Sequence, residues 1–290
     1  MIGVLGNFNK DKFYDIFNEL GSFLKEEKLE FYLLESKQID FSKVLHKEVV
    51  SDFETIIKKT KIIISIGGDG TIISTIRKFI GYEKPILGLH IGGLGFLAES
   101  NIDNYKMRIL NILNNNYYIE KRMLLKVFYT DKNATYDVIN ELVVDRGYSG
   151  RTIRTNVEVS GQYVNTYESD GIIFSTPTGS TAYSLSAGGP IVHSKLDLIV
   201  ITPICPHTLS MRPLIVSSNE KIEITFDTSG SANKELSLTI DGQIQESIDS
   251  DSVISIKKSN HFASMVKFKD DDYYSTLRKK MNWKGDLRYK

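Results

Sequence analysis

The chain has 290 residues, 41% hydrophobic and 25% charged, enough to bury the core of one large or two modest domains. Its 36 Lys+Arg balance its 36 Asp+Glu, which removes the electrostatic case for nucleic acid or an anionic membrane as main partner. A single cysteine, Cys205, excludes an intramolecular disulfide and a zinc site built on several thiolates, and fits a reducing, cytoplasmic setting.

The opening Met1-Ile2-Gly3-Val4-Leu5-Gly6-Asn7 is too short an apolar run for a signal peptide and has no basic lead-in. No stretch approaches the roughly 20 apolar residues of a membrane span. Ile2–Leu5 reads as a buried strand, and Asp11–Glu27 as an amphipathic helix with Phe13, Ile16, Phe17, Leu20 and Leu24 on one face. Leu29–Leu34 is strand-like. Lys61–Ile66 is β-branched and apolar, as a strand buried on both faces requires. A helix at Ile72–Ile80, a strand at Pro85–Leu89 and a helix at Tyr105–Leu113 continue a βαβα rhythm, which predicts a mainly parallel, doubly wound sheet.

Past about Tyr117 the rhythm changes. Leu124–Tyr129, Asp137–Val144, Asn156–Val159, Ile172–Ser175, Leu198–Thr202, Lys221–Phe226, Leu236–Ile240 and Ser252–Ile256 read as strands separated by Gly, Asn, Ser or Asp. One short helix near Thr181–Ala187 interrupts them. The tail Asp272–Trp283 returns to helical periodicity, with Tyr273, Leu277 and Met281 on one face and basic residues in its last turns. The expected organisation is an α/β domain over 1–117, a mainly-β domain over 118–268, and a C-terminal helix within 269–290 that packs back on the first domain.

Gly67-Gly68-Asp69-Gly70-Thr71 lies directly between the buried strand and a helix. Three glycines allow positive φ and close approach of a bulky anion to the main chain. Thr71 is a candidate cap for the following helix, whose first amides would face that anion. The turn sits at the carboxyl end of a parallel strand, where open α/β sheets bind ligands. By itself it also fits an ordinary tight turn with Asp69 as a capping residue. It is neither a P-loop nor the Gly-x-Gly-x-x-Gly dinucleotide fingerprint.

Residues 169–190 read SDGIIFSTPTGSTAYSLSAGGP. The turn Thr176-Pro177-Thr178-Gly179 and the helix start at Ser180-Thr181 present hydroxyls and amides beside one ring, Tyr183. That set suits an adenine, which stacks on a ring while hydroxyl and backbone groups meet its edge. Asn140-Glu141 interrupts the apolar run VINELVVDRG, where unpaired polar groups are costly if buried. Either a hairpin edge pair or a ligand contact accounts for it. Cys205 and His207 are close in sequence but lack a third orienting group, and both read as structural. The basic residues Arg278, Lys279, Lys280, Lys284, Arg288 and Lys290 read as a solvated tail.

Strand-GGDGT-helix resembles the signature of a kinase superfamily that includes NAD kinases, diacylglycerol kinases and phosphofructokinases. Residues 169–190 are similar almost letter for letter to the long NAD-kinase motif. Asn140-Glu141, the segment Gly92-Gly93-Leu94-Gly95-Phe96, the run at 201–217 and Asp241-Gly242-Gln243 extend the resemblance over most of the chain. The NAD-kinase resemblance implies transfer of a terminal phosphoryl group from ATP, or polyphosphate, to the adenosine 2′-hydroxyl of NAD. Mg²⁺ or another divalent cation would accompany the donor.

It further implies that Asp69 accepts the proton and, with Gly70, holds the reacting ribose. Gly67, Gly68, Gly70 and Thr71 would meet phosphate, and Phe96 and Asp241 would touch NAD. Asn140 and Glu141 would bind adenine and ribose hydroxyls, while Asp170 would face the nicotinamide half. Thr178, Thr181, Ala182, Tyr183, Ser184, Leu185 and Ser186 would line the adenine pocket, which Gln243 closes. Arg151 and Glu168 fall at nucleotide-contacting positions, although many members have a basic residue where this chain has Glu168. Asp69 would lie across a cleft from the hydroxyl-rich loop, with one dinucleotide bridging them. The family further implies a cytoplasmic homodimer or homotetramer, with no nucleic acid or membrane as partner. The alternatives are a lipid kinase of the diacylglycerol type, which shares GGDGT, and a non-catalytic NAD-binding protein.

Overall fold

The computed structural model describes residues 1–93, 95–98, 100–130, 132–147, 152–227 and 235–283. Arg151, Lys284, Arg288 and Lys290, singled out in the sequence, lie outside these residues. The chain divides into two compact units, one formed by Met1–Lys121 with the stretch from Ser264 onward, the other by Arg122–Ala263.

The first unit opens with β1 (Ile2–Gly6), α1 (Asp11–Glu26), β2 (Phe31–Leu34), β3 (Val50–Ser51), α2 (Phe53–Lys59), β4 (Ile62–Gly67), α3 (Asp69–Phe79), β5 (Ile86–His90), β6 (Ser100–Asn101) and α4 (Tyr105–Leu113). β5, β4, β1, β2 and β3 lie side by side, all parallel. Both faces are covered, as the apolar run of β4 requires. On one face, Phe13, Phe17, Leu20 and Leu24 of α1 and Tyr105, Ile109 and Ile112 of α4 share a core with Val4, Ile64 and Leu87. On the other, Thr75 of α3 bonds Ser65 of β4 at 2.8 Å, and the backbone of Gly88 leaves room for Ile72. α2 is a helix the sequence reading passed over: at 7 residues it shows little periodicity, yet Asp52 caps it through the Thr55 amide.

The second unit contains the greater part of β7 (Tyr118–Tyr129), β8 (Ala134–Val138), β9 (Glu141–Asp145), β10 (Ile153–Val159), β11 (Gln162–Ser169), β12 (Gly171–Ser175), α5 (Tyr183–Ser186), β13 (Leu198–Ile204), β14 (Leu214–Ser217), β15 (Ile222–Asp227), β16 (Glu235–Ile240), β17 (Ile244–Asp249) and the start of β18 (Ile254–Lys267). One antiparallel sheet has the order β14-β13-β12-β9-β16-β17; β11, β10, β15 and β18 follow one another in a second. Val144, Ile172, Phe174 and Leu238 of the first sheet join Val157, Ile224 and Ile254 of the second in one core. The edge strands β11, β14 and β17 were not expected. Edge strands need bury only part of one face, so QYVNTYES and IQESID carry too few apolar residues to announce themselves.

The end of β18 belongs to the first unit, where Met265 pairs in parallel with Ile86. α6 (Tyr273–Lys280) follows. Its packing on the first unit is as expected: Leu277 is buried, Lys280 lies over the Phe96 ring, and Arg108 of α4 grips Asp270 and Asp271 just before the helix.

Candidate active site

β4 ends at Gly67 and α3 begins at Asp69, so the GGDGT segment is the last residue of a strand, the N-cap residue and the first turn of a helix. The glycines serve space here, not handedness. Gly68, the N-cap residue, has φ −103° and ψ −175°, and no positive φ occurs in the turn. A Cβ on Gly67 would sit 2.3 Å from Thr71 Oγ1. A Cβ on Gly68 would meet nothing within 4 Å, which leaves its exposed backbone open to a bulky group. Thr71 is not the cap: it stands in the first turn, and its amide and that of Ile72 turn back on the Gly68 carbonyl at 2.9 and 3.1 Å. Those two amides are therefore not directed at an anion.

Asp69 is half-buried. Phe96 N–H donates to its Oδ2 at 2.9 Å and Leu97 N–H to its Oδ1 at 3.1 Å. Gly95 makes this approach possible, since a Cβ there would lie 2.1 Å from Asp69 Oδ1. Phe96 and Leu97 thus hold the carboxylate with two backbone donors. Behind it, the Thr75 hydroxyl donates to the Thr71 carbonyl at 2.9 Å and pairs with Ser65, fixing the first turn of α3 to β4.

In the second unit, β8 and β9 are separate strands, and Ile139 and Asn140 form a bend between them. Asn140 therefore stands in a bend and not in an unbroken strand. The Asn140 carbonyl accepts from Thr176 N–H at 2.8 Å and from the Ser175 hydroxyl at 3.3 Å. The Thr176 hydroxyl donates to the Ile139 carbonyl at 2.7 Å and accepts from Gly179 N–H at 3.1 Å. Gly179 lies flat on this bend: a Cβ there would come within 2.2 Å of the Asn140 oxygen. The Thr-Pro-Thr-Gly turn and the Asn-Glu bend are therefore one bonded body.

Glu141 opens β9 and is only 5% exposed. Its carboxyl accepts the Tyr183 N–H, while Oε2 has no hydrogen-bond partner. Burial, then the nearby Asp241 charge, push its carboxyl up to about 8. Tyr183 is 45% exposed. Thr178 is almost fully buried, and Ser184 is buried with its hydroxyl on Thr202 at 2.9 Å. Thr181 bonds the Thr178 carbonyl at 3.3 Å. Ala182 and Leu185 are half-buried and Ser186 is exposed. Gln243 is exposed in the turn between β16 and β17.

Asp170 is paired with Arg146 at 3.2 Å, a partner that the sequence reading missed because the two stand beside the ends of different strands. Glu168 lies between Arg154, at 3.3 Å, and His207, at 3.8 Å, so the Arg154 cation stands beside this carboxylate. Cys205 is exposed, with φ +45°. It is not a core residue.

Two family models match the chain. The family model for the ATP-NAD kinase N-terminal domain matches residues 2–117, and that for the C-terminal domain matches residues 139–268. An NAD kinase of Thermoanaerobacter sp. (strain X514) is 38% identical over 283 residues, covering 97% of this chain and 98% of the relative. The chain belongs to the ATP-NAD kinase family. An NAD kinase of Clostridium botulinum (strain Loch Maree / Type A3) is 36% identical over 286 residues, with 98% and 97% of the two chains covered. Among solved structures, an Archaeoglobus fulgidus NAD kinase in complex with ATP superposes with a TM-score of 0.77 at 25% identity, covering 98% of this chain and 100% of that one. Yeast NADH kinase complexed with NADH gives a TM-score of 0.85 at 23% identity, covering 100% of this chain and 89% of that one, a likeness of fold.

Within this ATP-NAD kinase chain, the residues that hold the site together are partly ones the sequence reading left out. Gly95, Thr176 and Gly179 contact no solvent of note, yet each fixes a predicted site residue. A hydroxyl or glycine inside a recognised motif was the available signal.

Proposed function

We propose that this protein phosphorylates the 2′-hydroxyl of the adenosine ribose of NAD, using ATP as donor and releasing NADP. The Asp69 carboxylate carries this reading: two backbone amides hold it at the carboxyl end of β4, in the first turn of α3. Two N–H donors fix its orientation without covering all of its acceptor capacity, since a carboxylate has about four lone-pair sites. Asp69 accepts the hydroxyl proton as the in-line transfer proceeds. Phosphoryl transfer is loose in its transition state, so positioning and charge neutralisation supply most of the acceleration.

The second unit supplies the adenosine contacts. The Tyr183 ring stacks on adenine, Asn140 and Glu141 meet the base and ribose hydroxyls, and Gln243 closes over them. Thr178, Thr181, Ala182, Leu185 and Ser186 shape the pocket, while buried Ser184 supports it from behind. Asp170 faces the nicotinamide half. The open backbone at Gly68 receives donor phosphate, with Gly67, Gly70 and Thr71 around it. Among the described residues no group of three or more His, Cys, Asp or Glu is placed to hold a metal ion. Mg²⁺ bound with the donor triphosphate would supply charge neutralisation there.

No helix among the described residues is long and apolar enough to cross a membrane. The reading places the protein in the cytoplasm as a homodimer or homotetramer. Incubating the purified protein with NAD, ATP and Mg²⁺ and assaying NADP tests the proposal directly, and replacing ATP by polyphosphate tests the donor. NADP formation is expected. Its absence, with NAD still bound, would leave a non-catalytic NAD-binding protein; phosphorylation of diacylglycerol instead would make it a lipid kinase.

A further inference from the structure

Asp241 entered the sequence reading as a residue that touches the nucleotide, yet its side chain is committed elsewhere. It is 7% exposed. Its Oδ1 accepts N–H groups from Ile139 at 3.0 Å, Asn140 at 2.6 Å and Glu141 at 3.2 Å, and its Oδ2 a second contact from Ile139 at 3.1 Å. In return the Asp241 amide donates to the Glu141 carbonyl at 2.9 Å. Three amides at a bend have no strand ladder to satisfy them, and one carboxylate collects all three. Asp241 holds φ +51° to do so, a left-handed conformation that Asp tolerates better than most residues.

We propose that Asp241 is a positioning residue for nucleotide recognition: it sets the bend that presents Asn140 and seats the Glu141 carboxyl on the Tyr183 amide. The inference rests on the NAD-binding reading above and deepens it. Asp241 acts through three links. Its carboxylate fixes the backbone of 139–141, that backbone places the Glu141 side chain, and Glu141 holds the start of α5, which carries the Tyr183 ring.

The arrangement has a consequence for pH. Glu141 faces Ser175 across β12, the Tyr183 amide from α5, and Asp241 from the β16–β17 turn. Of these three only Asp241 is charged. With its carboxyl raised to about 8, Glu141 is protonated at neutral pH, and the buried pair carries one negative charge. As pH rises through about 8 a second charge appears beside Asp241. Repulsion then works against the bend, so NAD affinity falls on the alkaline side of that value.

The test compares wild type with Asp241→Asn, which keeps the size but loses the charge and turns an NH₂ toward backbone donors. The NAD KM is expected to rise about tenfold or more while kcat stays within roughly threefold, the pattern of lost positioning of a bound substrate. The alkaline loss of NAD affinity seen in wild type is expected to disappear, because an ionised Glu141 meets no second charge once residue 241 is neutral. An unchanged KM with only a lower unfolding temperature would overturn the inference, as would a kcat loss of about a hundredfold at constant KM, which would place Asp241 on the reacting atoms. Should this variant fail to fold, Glu141→Gln provides the second arm. Its amide stays neutral, so the alkaline step must vanish, and a step that persists overturns the inference. A wild type that binds no NAD overturns this inference and the reading beneath it together; a wild type that binds NAD beside an unaffected variant overturns this one alone.

Discussion

Asp69 donates nothing and accepts twice, from the amides of Phe96 and Leu97, so its replacement touches both chemistry and a loop. Asp69→Asn keeps an oxygen for one amide and removes the charged acceptor. Turnover should fall by about 10²–10⁴, the usual worth of a general base, while the NAD KM changes little. Steady-state kinetics decide the matter, and a variant that keeps most of its kcat removes Asp69 from proton transfer. Tyr183 acts differently, because its exposed ring would stack equally well in ground and transition states. Tyr183→Ala should lose about 1–3 kcal/mol of base stacking and raise the NAD KM roughly five- to hundredfold, with a smaller effect on kcat. An unchanged KM would mean that adenine does not rest on this ring.

Among the elements, two turns matter most, and glycine plays opposite parts in them. At Gly179 the chain presses on the Asn140 backbone, and a Cβ would lie 2.2–2.7 Å from its O, C and Cα atoms. Backbone cannot swing aside as a flexible side chain would. Gly179→Ala should therefore cost about 1–3 kcal/mol as overpacking and also raise the NAD KM, since the bend carrying Asn140 must shift. At Gly68 there is nothing within 4 Å and φ is −103°, so Gly68→Ala should leave the unfolding midpoint nearly unmoved. Its effect should fall on the ATP KM, because the methyl group occupies the space through which the donor reaches the main chain. Thermal melts and ATP kinetics on the two variants separate these roles. A Gly68→Ala enzyme with normal ATP kinetics would exclude phosphate from that spot.

For the whole molecule, stability depends on how the end of the chain is tied to the first unit. Arg108 has a side chain 6% exposed, bonded to Asp270 at 2.5 Å and to equally buried Asp271 at 2.9 Å, and its guanidinium lies 4.3 Å from the Phe268 ring centre. Arg108→Met fills the volume but strips Asp271 of the Arg108 cation, while the Phe268 amide still donates to it at 2.8 Å. The loss should be about 3 kcal/mol, the lower end for breaking a buried pair, read as a fall in the denaturant midpoint. An unaffected midpoint would show that the pair only breaks even against its desolvation.

The architecture was legible from residue order alone where signals are local. Buried parallel strands must be apolar throughout, as in β4, and an amphipathic helix must repeat near 3.6 residues, as in α1; both follow from which faces meet water. The GGDGT turn and the stretch 169–190 were readable because their chemistry is contiguous. What the tertiary structure alone decided is how separate segments share hydrogen bonds. Asp241 finds its donors 100 to 102 residues away, Thr176 bonds a carbonyl 37 residues back, and Asp69 receives amides 27 and 28 residues ahead. Such pairings are set by strand register and by bends such as Asn140, where the ladder stops and its amides need another acceptor. No periodicity records that need, since it arises only when the strands have already come together.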